Sequence, residues 1–171
     1  MGSYADDALF MSRNNIEYVE LISDDGKSKV MVIPAWQGRV MTTSAAGDEG
    51  DSYGWINYSF IKKRQIDLQF NPVGGEERFW LGPEGGVFSL YFRQGEKQIY
   101  KNWKVPPVLD IEAFKIQSQS KNCICLTKEG CLTNACGTTF YLNIKRTISL
   151  LDINEFAASF NLEFPKDIKA V

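Results

Sequence analysis

Sixteen consecutive residues, Asn71-Pro-Val-Gly-Gly-Glu-Glu-Arg-Phe-Trp-Leu-Gly-Pro-Glu-Gly-Gly86, gather three carboxylates, one guanidinium and one indole among five glycines and two prolines. Glycine permits positive φ and close backbone approach, and proline fixes φ and removes a donor, so the groups between them can be aimed at a ligand. The mixture suits a polyhydroxylated ligand, a sugar. Trp80 offers a flat platform for its apolar face, and Glu76, Glu77, Arg78 and Glu84 offer partners for its hydroxyls. A period of two puts Glu76, Arg78 and Trp80 on one face and Glu77 and Phe79 on the other. The bland alternative is a core Trp80 with its charges in a solvated turn.

Arg39, between Gly38 and Val40, is a second candidate. An arginine inside an apolar strand is costly to bury unless it meets a carboxylate, with Glu76 and Glu84 as the candidates, or a ligand. Trp36, Trp55, Asn57, Lys101 and Trp103 form a looser third set. Asp110 and Glu112 have the same-face spacing of a glycosidase carboxylate pair, but so do many surface pairs, and both are read as solvated. Glu76, Glu77 and Glu84 suit a hard cation such as calcium, yet the chain has no Asp-rich calcium loop. Neither a metal nor a cofactor is expected.

The chain has no histidine, which removes the commonest general acid and base and any Ser-His or Cys-His nucleophile pair. Four cysteines, Cys123, Cys125, Cys131 and Cys136, crowd near one another. Cys123-Ile-Cys125 has the period of a strand and not that of a zinc knuckle. Small buried thiols are expected, with a disulfide or a zinc site as alternatives.

At 171 residues, 44% apolar and 13% aromatic, the chain suits one globular domain. A formal charge of -2 with scattered basic residues gives no footprint for nucleic acid or an anionic membrane surface. No apolar run approaches a membrane span, and the first residues lack a secretory pattern. Periplasmic and cytoplasmic settings both remain compatible with it.

Ser3 can cap a short helix with Asp6 and Asp7 in its first turn and Tyr4, Ala8 and Met11 at helical spacing, ending by Asn14-Asn15. Residues 1–15 therefore form a helical segment, and 16–171 a β domain. Glu17 to Ile22 and Lys29 to Ile33 form a hairpin about Asp24-Asp25-Gly26-Lys27, Pro34 ends that strand, and Gly38 to Ser44 forms the next. Strands are also expected at Phe88 to Phe92, Phe114 to Gln119, Cys123 to Thr127, Thr138 to Leu150 and Glu155 to Phe164, with a turn at Lys128-Glu-Gly130. Trp103 to Val108, with paired prolines, should be an extended connector. Closely spaced strands without intervening helices give an all-β, antiparallel sandwich.

Val32-Ile-Pro-Ala-Trp-Gln-Gly-Arg-Val-Met-Thr-Thr43, Gly54-Trp-Ile-Asn57 and Gly74 to Gly86 together resemble an uncharacterised bacterial family that is similar to the galactose mutarotases (aldose 1-epimerases). The resemblance implies a β-supersandwich with a sugar-sized groove on a concave face, and a mono- or oligosaccharide as partner. It also implies a histidine acid and a glutamate base, and this chain has no histidine to supply the first. The family's sandwich is longer than this chain, so Pro165 to Val171 is expected to mark the end of an N-terminal portion, with self-association through unpaired strand edges. The expected function is non-catalytic carbohydrate binding through Arg39, Glu76, Arg78, Trp80 and Glu84. The alternative is a carbohydrate-processing enzyme, epimerase-like or glycoside-processing, with Glu76 or Glu84 as acid or base.

Overall fold

A computed structural model describes residues 2–161 and 163. The chain begins with helix α1 (Tyr4–Arg13), started by Ser3. The Ser3 hydroxyl accepts from the Asp6 amide while the Asp6 carboxylate accepts from the Ser3 amide, so two donors left over by the helix are satisfied reciprocally. Strands β1 (Val19–Ile22), β2 (Lys29–Ile33) and β3 (Arg39–Ser44) then form an antiparallel sheet in sequence order. The β1–β2 turn is held by the Asp25 carboxylate, which accepts from the Ser23 hydroxyl and the Lys27 amide. Pro34 ends β2 and opens a single 3-10 turn, Pro34–Trp36.

β2 is buried along its whole length because both of its faces are covered. Val30 and Val32 point into one apolar cluster, and Met31 and Ile33 into another. The second cluster lies beneath α1 and the short helix α2 (Tyr58–Lys62), where Tyr4, Met11, Ile56 and Ile61 meet Met31, Ile33 and Met41. The first cluster joins the sheet to a second one, built of β4 (Lys115–Gln119), β5 (Cys123–Thr133) and β6 (Thr139–Ser149), also antiparallel and in sequence order. Ile124, Leu126, Leu132 and Ile144 from this second sheet share that core with Leu21, Val30, Val32 and Val40 from the first. The protein is thus mainly β, with two three-stranded antiparallel sheets sharing a core.

Several expectations are corrected. Residues 45–114 contain no named strand; they hold α2, a 3-10 turn at Tyr100–Asn102 and helix α3 (Pro107–Asp110). Phe88 to Phe92 is irregular because its amides are satisfied locally: Leu90 donates to the Pro83 carbonyl and Tyr91 to the Ser89 hydroxyl. Trp103 to Pro106 is extended as expected, but Pro107 begins α3 instead of continuing the connector. Lys128-Glu-Gly130 is not a turn and lies inside β5, with Gly130 opposite Leu142. Its glycine serves close packing: a Cβ there would stand 3.0 Å from Val108 of α3. The turn falls at Asn134, whose side-chain oxygen accepts from the Thr138 amide at 2.8 Å.

The strand expected at Glu155 to Phe164 is instead helix α4 (Ile153–Phe160), within which Phe156 and Phe160, four residues apart, meet at 4.9 Å. Phe164 and the segment Pro165 to Val171 lie outside the described residues. Of the four free thiols, Cys125 is buried and Cys123 half-buried, whereas Cys131 and Cys136 are exposed: Cys131 sits one position before Leu132, which takes the core-facing place in β5, and Cys136 lies in the turn after that strand. Among the described residues, no helix is long and apolar enough to cross a membrane.

Candidate functional site

The loop from Asn71 to Gly86 crosses the open end of β3, pairing with it through a single bridge between Val40 and Glu77. Gly74 and Gly75 bring it close. Both have positive φ, a Cβ on Gly74 would stand 2.2 Å from the Trp55 carbonyl oxygen, and one on Gly75 would stand 2.8 Å from the Arg39 side chain. The Gly-Gly pair therefore lets the backbone close over Arg39.

Arg39 is 2% exposed. Its Nη1 donates to the Gly74 carbonyl at 2.6 Å, and its Nε has no partner. The expected ion pair with Glu76 or Glu84 does not form, because the loop turns both carboxylates elsewhere. Glu76 is exposed and accepts from the amide and hydroxyl of Thr43, and Glu84 accepts from Trp80 Nε1 at 2.8 Å. Burial and the nearby Arg78 charge lower the Arg39 pKa to about 10, so it stays charged at neutral pH.

Arg78 and Trp80 do meet. The Arg78 guanidinium sits 4.0 Å from the Trp80 ring centroid and 5.4 Å from that of Phe70, and its Nη2 donates to the Leu109 carbonyl at 2.8 Å. Its carboxylate partner is Asp110, with 3.7 Å between Nη2 and Oδ1. Asp110 is 5% exposed, so its reading as a solvated surface residue is overturned. Oδ2 accepts from the Asn71 amide at 3.0 Å and from Asn71 Nδ2 at 2.7 Å, whereas Oδ1 accepts no hydrogen bond. Asn71 is itself fixed by Asp67, whose amide donates to its side-chain oxygen and whose carbonyl accepts from Nδ2. Burial raises the Asp110 pKa and lowers that of Arg78, each partly offset by the attraction of the other.

Two guanidinium groups thus share the cluster with one carboxylate. Glu77 is not part of it; it pairs with Arg146 of β6, tying the loop to the second sheet. Glu112, the other half of the Asp110 pair, faces Lys128 at 2.6 Å.

Behind Arg78 runs a file of aromatic rings. Trp80 lies 5.2 Å from Tyr91, Tyr91 stacks on Trp103 at 5.5 Å, and Trp103 stacks on Tyr100 at 6.3 Å. Trp80 and Trp103 are half-buried. Of the remaining looser set, Trp55 and Lys101 are exposed, Asn57 caps α2 by accepting from the Phe60 amide, and Trp36 is half-buried. Asp110, Asn71 and Trp36 line a groove of about 320 Å³, together with Asn14 and Arg64. None of the five predicted residues lines that groove, although Arg78 backs its Asp110. No group of three or more Cys, Asp or Glu side chains is placed to hold a metal ion among the described residues.

Residues 2–171 match a family described as a family of unknown function, DUF6786. The chain belongs to this family. No curated protein and no solved structure matches it. The membership carries no activity with it.

Proposed function

We propose that this DUF6786 chain binds a mono- or oligosaccharide in the groove lined by Trp36, Asn71 and Asp110, without turning it over. The single observation that carries this reading is the Asp110 carboxylate. It is buried at the groove, held on one oxygen by Asn71, while the other oxygen accepts no hydrogen bond and has only the Arg78 guanidinium near it, at 3.7 Å. An unfilled buried acceptor favours a ligand that donates, and a sugar hydroxyl is a neutral donor of the right kind. The half-buried indole of Trp36 on the same groove suits the apolar face of a pyranose.

The two sheets and shared core are compatible with the galactose-mutarotase-like supersandwich that the sequence resembles, and that finer fold is part of the proposal. Binding is favoured over catalysis by the groove's lining. Asp110 is the only carboxylate among its described residues, whereas ring opening or glycoside cleavage needs two groups in opposite protonation states. The raised pKa of Asp110 is what favours the enzymatic alternative, in which it would serve as the acid.

Glucose and galactose titrations followed by amide NMR will test the reading. Shifts are expected at Trp36, Asn71 and Asp110, with dissociation constants near the millimolar range that about 4 kcal/mol of binding gives, and Trp36→Ala should abolish them. Shifts that survive Trp36→Ala would refute the site, and mutarotation above buffer by polarimetry would establish the enzymatic alternative.

A further inference from the structure

On another part of the surface, a larger groove of about 530 Å³ runs between the segment from Leu90 to Gln94, the connector from Asn102 to Pro107, and the far end of β5. Its floor is apolar, with Tyr91 and Leu132, both buried. Its charged lining consists of Arg93 and Lys104 alone, with no carboxylate. Both cations are exposed, and neither side chain has an ion-pair or hydrogen-bond partner among the described residues.

Asn134 adds a different kind of group. It is 3% exposed and lines the same groove. Its Oδ1 is occupied by the Thr138 amide at 2.8 Å and the Cys136 thiol at 3.0 Å, while its Nδ2 donates to no described residue. A buried amide held by its oxygen keeps its donor end for something that accepts. Asn102 is arranged the opposite way: its Nδ2 donates to the Lys97 carbonyl, leaving its oxygen as an acceptor.

The geometry points to a second site, in which Arg93, Lys104 and Asn134 bind an oxyanion, a carboxylate or a phosphate, carried on a small hydroxylated molecule. Two cations and a buried donor meet the anion. The Asn102 oxygen and the exposed Thr133 hydroxyl, which also pairs with that of Thr139 at 2.9 Å, suit hydroxyl groups, and the apolar floor suits the non-polar side of the molecule. This site shares no lining residue with the Asp110 groove, so each can fail without the other.

The experiment is a titration of the whole chain with sodium glucuronate, inorganic phosphate and glucose, read by NMR of the side-chain amides and by calorimetry at low and high salt. Glucuronate should shift the Asn134 and Asn102 amides and bind less tightly at high salt, and glucose at the same concentrations should leave them unmoved. Phosphate binding as tightly as glucuronate would assign the site to a bare oxyanion; weaker phosphate binding would assign it to a sugar acid. The doubly substituted Arg93→Gln, Lys104→Gln chain, altered only at exposed positions, should weaken the anion by about tenfold or more, while Asp110→Asn should have no effect on it. Alkylation of Cys131, exposed on the same lining, gives a second readout and should be slowed by glucuronate. Equal shifts with glucose, or an anion affinity unchanged in the double variant, would overturn the proposal.

Discussion

The carboxyl group of Asp110 is the most consequential single side chain in the candidate site. Burial raises its pKa, and the hydrogen bonds from Asn71 and the Arg78 charge only partly oppose that rise. The folded state therefore favours the protonated carboxyl more than the unfolded chain does. That contribution to stability is complete below the unfolded pKa and is lost as pH rises through the raised folded value. Measured against Asp110→Asn, wild type should lose stability with rising pH across the carboxylate range, as read by urea midpoints. Asp110→Asn keeps an oxygen to accept from Asn71 and removes this one contribution. Two profiles that run parallel would mean that Asp110 does not contribute. Nothing local to Asp110 advertised its burial, because the clamp comes from Asn71, 39 residues away, and the covering guanidinium from Arg78, 31 residues before the Leu109 carbonyl that it also binds. Arg39 was legible as an arginine needing a partner, but the partner is a backbone carbonyl, a group that every residue carries and that side-chain chemistry cannot single out.

Among the elements, those whose signals are local could be read directly. The capping pair Ser3 and Asp6 and the turn residues of the β1–β2 hairpin act within a few positions of the groups they satisfy. The segments that were misread owe their shape to distant neighbours: Gly130 is a glycine because of Val108, and Phe88 to Phe92 is irregular because Pro83, Ser89 and the aromatic file take up its polar groups and rings. α1 shows both kinds of control. Its cap is local, but Asp7, buried in its first turn, accepts from the Ser52 and Tyr58 hydroxyls and so pins the helix to the loop after β3 and to α2. Ser52 is also bonded to Thr42, so the network reaches into β3. Asp7→Ala removes the charged acceptor of the Ser52 and Tyr58 hydroxyls and should cost about 2 kcal/mol of stability, measured by urea denaturation. Amide exchange within α1 should rise by more than exchange within β5 under conditions where opening is local.

At the scale of the whole molecule, the second sheet ends at β6, and no strand pairs with its outer edge among the described residues. Tyr141 on that strand is 89% exposed, with Phe140 beside it. Long edge strands with exposed apolar side chains template further pairing. The chain should therefore self-associate, with a sedimentation coefficient that rises with concentration; Tyr141→Lys should suppress the rise, and a constant monomer value for wild type would show the edge to be protected.

The alternation of Val30, Met31, Val32 and Ile33 gives β2 a role apart from any site. With Val40 and Met41 of β3, it forms the wall that the two apolar clusters share, so each cluster packs against the back of the other. A lesion beneath α1 would be felt as a loss of cooperativity throughout the first sheet. A slip of β2 by one residue would exchange the valine side for the methionine and isoleucine side, spoiling the fit on both at once. The strand acts as a keystone, with its register fixed from both faces at once.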